Sequence, residues 1–294
     1  MNGAFVWEPK KRLTVDGLGA THHLQYTHRM PNSVFDPAQH IFPDSEAIRQ
    51  AITHVYALEM FAQSVVQPSL AALDRQLETA DQSDEPAADF MYADLADLFH
   101  STVEGYLLTV QSMWERSLRR MLVECDKRLC AGQNESAIQK ARWERDTSRG
   151  LQAHFHRLLG FRMSDMYAYG DLDLLQNLGN AIRHGDGPSA RRVHELAPNL
   201  WHQWLARGTL IQVGPYDITI PLSEPPQPSF ETATLNEALL KQMISAVVDF
   251  WMDLESLRCH SFRAIHPSTV EQLRAWAQER EARRAVRDWT AEVR

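Results

Sequence analysis

The fold of this chain is decided by residues 95–125, which read LADLFHSTVEGYLLTVQSMWERSLRRMLVEC. Apolar side chains recur there at every third or fourth position, for example at Phe99, Val110 and Met121, and this period predicts one amphipathic helix of about 30 residues. A second row of apolar residues, which includes Trp114, broadens the apolar stripe. Since one neighbouring helix cannot cover so broad a stripe, we expect this helix to lie at the centre of a helical bundle.

The same period predicts further helices on both sides of this one. A strongly charged helix is expected over residues 135–159, a shorter helix over 171–182 and a third over 235–257. Between the last two, alternating and β-branched residues near 209–221 predict an inserted β-hairpin. The expected fold class is therefore mainly α, a bundle of four to five core helices that carries one hairpin.

Three regions of different composition divide the chain. Residues 1–43 carry closely spaced Pro and Gly without a helical stripe, so we expect an extended N-terminal arm. Residues 44–262 hold the bundle and its hairpin. Residues 263–294 are rich in Arg, Glu and Ala, which predicts a charged C-terminal helix. Its Trp276 and Trp289 are candidates for packing on the bundle or on another chain.

The composition is that of an ordinary globular protein. Of the 294 residues, 44% are hydrophobic and 23% are charged, close to the average for soluble domains. No uncharged apolar stretch approaches the length of about 18 residues that a membrane span needs, and the first residues show no signal-peptide pattern. We therefore expect a cytoplasmic protein without membrane association. The three cysteines form no Cys-x-x-Cys pair, which disfavours a zinc site or a disulfide framework.

The charge is unevenly distributed along the chain. The net charge is −8, and residues 74–104, with nine acids and one base, sum to the same value. Residues 116–149 hold nine bases and five acids. Both segments are typical of solvated helix faces. The basic segment is also suited to meet a phosphate backbone, and the acidic segment to shield it or to face a partner.

One segment carries candidate chemistry. Residues 174–187 read LLQNLGNAIRHGDG, an apolar helix stopped by a Gly-Asp-Gly break. Asn180 and His184 are four residues apart and so share a helix face. A helix C-terminus favours a cationic imidazole by about 0.3–1 kcal/mol, which suits His184 to proton transfer. The adjacent Arg183 offers five N–H donors for a phosphate.

This pattern resembles the motif of the HEPN superfamily (higher eukaryotes and prokaryotes nucleotide-binding). The family motif is an Arg followed, after four to six residues, by a His, with a polar residue directly after the Arg. His184 matches the family His and Asn180 the polar residue, whereas Gly179 occupies the position expected for the Arg. The resemblance implies an α-helical bundle that commonly dimerises, so that two motifs form one site.

The resemblance also implies an activity, that of a metal-independent endoribonuclease acting as a toxin or as an antiphage effector in abortive infection. In such an enzyme, His184 serves as catalytic acid or base. Arg183 stabilises charge in the transition state, and Asn180 holds His184 or a phosphate oxygen. No metal ion and no cofactor are implied.

The implied partners are RNA, a second copy of the chain, and an antitoxin or defence-complex protein. Candidate RNA-binding residues lie on the long helix, where they are expected to face the cleft opposite His184: Arg116, Arg119 and Arg120. Gly179 also supports an alternative, a catalytically inactive HEPN-like module that binds RNA, a nucleotide or a partner. A third interpretation is a structural subunit of a defence complex that docks through residues 263–294.

Overall fold

A computed structural model describes residues 35–143, 149–213, 216–223 and 225–285. The described chain is mainly helical and includes one two-stranded antiparallel sheet, which confirms the predicted mainly α class with a hairpin. Its α-helices and strands are α1 Ala51–Phe61, α2 Gln67–Asp81, α3 Ala88–Cys130, α4 Glu135–Lys140, α5 Leu151–Leu159, α6 Tyr169–His184, α7 Pro188–Leu196, β1 Leu210–Val213, β2 Tyr216–Thr219, α8 Glu237–His260 and α9 Pro267–Ala285.

Helix α3 is the centre of the bundle, as predicted. It is 43 residues long and packs against α2, α4, α5, α6 and α8. The side chains of Leu107, Trp114 and Leu118 are buried. The ring of Trp114 meets that of Phe250 from α8 edge to face, with 6.0 Å between the ring centroids. From Val103 onwards, the apolar period of residues 95–125 therefore forms the main core, and the helix extends beyond the predicted stretch at both ends.

The prediction of a single charged helix over residues 135–159 is wrong. Helix α4 ends at Lys140, and α5 begins only at Leu151. The last carbonyl oxygens of α4 are occupied by Arg119 of α3, whose guanidinium donates to the backbone oxygens of Ile138 and Ala141 at 2.8 Å each. These bonds satisfy carbonyls that the end of α4 leaves without helical partners, and the backbone leaves the helix at Ala141, whose ψ is 136°.

The hairpin lies where the sequence predicts it. Strands β1 and β2 pair antiparallel, with Leu210 opposite Thr219 and Val213 opposite Tyr216. Leu210 and Tyr216 are exposed, so the hairpin lies on the surface of the helical bundle. None of the described helices is long and apolar enough to cross a membrane.

The predicted N-terminal arm is described only in part. Residues 1–34 lie outside the described chain. The remainder packs on the bundle, because Phe35 stacks on Phe161 with 4.0 Å between the ring centroids. The backbone N–H of Phe42 donates to Ser261 Oγ at 2.8 Å.

The C-terminal helix α9 packs on α8 of the same chain. Trp276 lies against the core, and Arg280 Nη1 lies 2.9 Å from the Asp253 carboxylate, which is 1% exposed. Trp289 falls outside the described residues. One of the two tryptophans that the sequence offers for docking is thus used within the chain.

We expect Arg280→Ala to destabilise the chain by about 3 kcal/mol, because it removes the cation from a buried carboxylate. Urea denaturation measures the difference. Arg274→Ala, at an exposed position of the same helix, is the control and should change the free energy of unfolding by less than about 0.5 kcal/mol. Equal values for the two variants would contradict the assignment of Arg280 as the anchor of α9.

Candidate functional site

The position of His184 is set by the way α6 ends. The helix presents a continuous apolar side to the bundle, and Leu172, Leu175 and Leu178 are fully buried. Gly185 follows with φ +68° and ψ −145°, a conformation open to glycine but strained for other residues. The helix therefore stops directly after His184, as the Gly-Asp-Gly break predicts.

The segment after the helix is held in place by Asp186. Its carboxylate accepts a hydrogen bond from the backbone N–H of Phe230 at 2.6 Å and one from the Ser229 hydroxyl at 3.0 Å. These bonds tie the end of α6 to the connection that leads into α8. The backbone around His184 is thus fixed on both sides, while the imidazole itself is exposed and makes no hydrogen bond with the residues that the structure describes.

The three predicted catalytic residues occupy the last two turns of α6, and two of them touch. Arg183 Nη1 donates to Asn180 Oδ1 at 3.3 Å. Arg183 Nη2 donates to the side-chain oxygen of Gln111 on α3. The guanidinium is therefore held over the α3–α6 contact, while His184, the next residue along the helix, exposes its imidazole.

Gln111 is the site residue that sequence reasoning missed. Its side chain is 1% exposed, and its amide is fully paired. The nitrogen donates to Gln176 Oε1 at 3.0 Å and to Glu115 Oε2 at 2.6 Å, and the oxygen accepts from Arg183. Because the guanidinium can only donate and the carboxylate can only accept, the amide oxygen of Gln111 must face Arg183 and its nitrogen must face Glu115. The sequence signal that could have identified it is a polar glutamine placed between the core residues Val110 and Trp114.

Gly179, which lies where the HEPN motif has its Arg, packs directly against Gln111. A Cβ built on Gly179 would lie 3.0 Å from Gln111 Cγ and 3.2 Å from both Cδ and Oε1. Contacts this short require the neighbouring side chain to move. An arginine at this position would therefore displace the amide that holds Arg183, which gives a physical reason for glycine here.

The three arginines predicted to bind RNA do not form one surface. Arg119 caps the carbonyl end of α4, and its Nε also donates to Glu115 at 3.1 Å. Arg116 is exposed and donates from Nε to the carbonyl of Ser112 at 3.1 Å. Arg120 lies nine residues after Gln111, half a turn round α3, so its side chain leaves the helix on the side away from α6.

Arg120 instead lines a cavity of about 230 Å³ between α1, α3 and α8. His54 of α1 also lines it and packs on Trp251, with 4.5 Å between the ring centroids. Burial, together with the nearby positive charge of Arg120, lowers the pKa of His54. Arg120 and His184 thus belong to different parts of the molecule.

The comparisons with known proteins leave the family open. No protein-family model, no curated protein and no solved structure matches the chain. Within the described ranges, no group of three or more His, Cys, Asp or Glu side chains is placed to hold a metal ion. The HEPN resemblance therefore rests on the residues around His184 alone.

We expect Gly179→Ala to destabilise the chain by about 1–2 kcal/mol, because the added methyl group presses on a buried, fully paired amide. In a Gln111→Ala background the same change should become neutral or stabilise by up to about 1 kcal/mol, since alanine favours a helix over glycine. Urea denaturation of the four proteins of this cycle measures the coupling.

Gly105→Ala is the matched control for this cycle. It also lies within a helix, and nothing is found within 4 Å of its added Cβ. We expect it to stabilise the chain by up to about 1 kcal/mol. If Gly179→Ala behaves like Gly105→Ala in the wild-type background, the packing of Gln111 on Gly179 is not tight.

The stability of the chain should fall as the pH is lowered from 7.5 to 5.5. Burial lowers the pKa of His54, His154 and His194 from their ordinary value of 6.5. His194 lies edge-on to Trp201 and Trp204. As the pH falls through 6.5, the unfolded chain therefore binds protons that the folded chain does not, and unfolding is favoured.

Urea denaturation at several pH values tests this expectation. His194→Gln should flatten the decline, because it removes one of the groups that the unfolded chain protonates first. His156→Gln, at an exposed position of α5, should leave the slope unchanged. A free energy of unfolding that does not change over this interval would contradict the burial of the three imidazoles.

Proposed function

We propose that this chain is a HEPN-like, metal-independent endoribonuclease that acts as a toxin or antiphage effector, with His184 at its catalytic centre. One observation carries the proposal. An exposed imidazole without a partner among the described residues stands at the end of α6. Directly before it in the chain, Arg183 is held by Gln111 and Asn180. A proton-transfer group and an oriented cation are the two groups that phosphodiester cleavage requires.

The chemistry assigns a role to each of these side chains. Cleavage of RNA begins when a base removes the proton of a ribose 2′-OH and the oxygen attacks the adjacent phosphorus. It ends when an acid protonates the departing 5′-oxygen. Arg183 faces the negative charge that accumulates on the phosphate oxygens in between. Asn180 orients Arg183 through its carbonyl oxygen and keeps its amide nitrogen for a phosphate oxygen or for His184.

A single His184 cannot begin a turnover as both the base and the acid. Base and acid require one neutral and one protonated imidazole at the same time. A second copy of the chain supplies the second imidazole if two α6 ends meet across a twofold axis. The proposed enzyme is therefore a homodimer with one composite site, in the manner that the family resemblance implies.

One observation favours a second function, an inactive HEPN-like module that binds RNA or a partner protein. Arg183 already donates to two side chains, and Gln111 fills the space beside Gly179. A guanidinium used in this way has fewer N–H groups left for a transition state. Binding of a phosphate requires only some of the five N–H groups of the guanidinium. A chain that has lost catalysis can therefore still bind a phosphate.

Incubation of the purified chain with RNA in EDTA tests the proposal. We expect cleavage by the wild type and a loss of about 100-fold or more in rate for His184→Ala, the usual contribution of a general acid or base. His156→Ala is the matched control, since it removes another exposed imidazole from the last turn of a helix.

Each other outcome also decides between the functions. Full activity in His184→Ala would place catalysis elsewhere and end the assignment. Absence of cleavage by the wild type, together with RNA binding that Arg183→Ala weakens, would assign the inactive binding module. Sedimentation of the wild type as a monomer at the concentrations where it cleaves would contradict the composite site.

A further inference from the structure

The first part of α3 projects beyond the bundle core. No residue from Asp89 to Thr102 is buried, although the same helix lines the core from Val103 onwards. Large apolar side chains are nevertheless present there. Phe90 is 77% exposed and Leu98 is 51% exposed. Exposed apolar side chains that lie together on one surface are a common feature of interaction sites.

Most exposed residues of this segment lie on one side of the helix, whereas Asp89, Tyr92 and Ala93 are exposed on its other sides. At 100° per residue the residues of the first side fall within about 120° of one another, and we call this side the α3 face. Its members are all exposed: Phe90, Met91, Asp94, Asp97, Leu98, Ser101 and Gly105. The face is about 22 Å long, and among the described residues nothing lies within 4 Å of a Cβ built on Gly105 at its far end.

The α3 face is strongly acidic. Asp94 and Asp97 alternate with its apolar side chains and make no ion pair with the residues that the structure describes. They belong to the segment 74–104, which carries nine acids and one base. The partner must therefore bring both apolar side chains and positive charge.

We propose that the α3 face binds a cationic amphipathic helix of a partner protein. Leucine or phenylalanine side chains of that helix cover Phe90, Met91 and Leu98, and flanking lysines or arginines pair with Asp94 and Asp97. A second copy of this chain would set one acidic segment against another, and the phosphates of RNA would be repelled. The proposal does not depend on the activity assigned to His184.

The probe is a synthetic amidated peptide of 18 residues, built from Leu and Lys with the leucines at helical spacing. Fluorescence anisotropy measures its binding to the full chain. We expect saturable binding that weakens about tenfold between 50 and 200 mM NaCl, because the contact joins opposite charges. A peptide of the same composition in scrambled order, which has no apolar stripe, should bind at least about tenfold more weakly.

Substitutions on the α3 face separate its apolar and charged parts. Phe90→Ser with Leu98→Ser leaves the charge unchanged and should weaken binding about tenfold. Asp94→Asn with Asp97→Asn should weaken it and also reduce its dependence on salt. The controls are Leu210→Ser and Asp217→Asn, which change an exposed apolar and an exposed acidic residue of the hairpin and should leave binding unchanged.

Three results would overturn the proposal. One is equal affinity for the ordered and scrambled peptides, which would reduce the contact to charge alone. Another is affinity that survives Phe90→Ser with Leu98→Ser. The third is self-association of the wild type that this double substitution abolishes, which would assign the α3 face to a second copy of the chain.

Discussion

The buried amide of Gln111 determines how α6 lies on α3. A polar side chain that is removed from water must keep all its hydrogen bonds, or the fold loses about 1–3 kcal/mol for each group left unpaired. Gln111 meets this requirement through Glu115 of its own helix and through Gln176 and Arg183 of α6, and the side chain fits there because Gly179 carries no Cβ. The amide therefore sets the register between the two helices. The position of His184 follows from that register, because α6 ends one residue after Arg183.

Sequence periodicity was sufficient for the elements whose causes are local. The apolar repeat of residues 95–125 predicts α3, and the Gly185 break predicts the end of α6, because each depends on neighbours within a few residues. The end of α4 is instead capped by Arg119, which is about 20 positions distant in sequence and reaches the α4 carbonyls only in the folded chain. No local pattern in the sequence records such a contact.

The same limit applies to the candidate site, where only the features with local causes were predictable from the sequence. Residues 174–187 identify the helix end and its three polar side chains. They do not show that Arg183 turns towards α3, because the partner that attracts it lies 72 positions away. Likewise, Arg116, Arg119 and Arg120 are close together in sequence, but Arg119 is drawn into the end of α4, while Arg116 and Arg120, four residues apart, share a side of α3 that does not face α6. A cluster of charges in sequence becomes a surface only where the helical period places its members on the same side.

The cap that Arg119 forms on α4 makes the stability of this helix dependent on α3. Helix α4 has six residues, far fewer than the roughly 12–15 that an isolated helix needs to persist in water. Its final carbonyls find their donor on α3. Helix α4 is therefore no independent unit of local stability, since an opening of α3 around Arg119 removes that donor and leaves a helix too short to persist by itself.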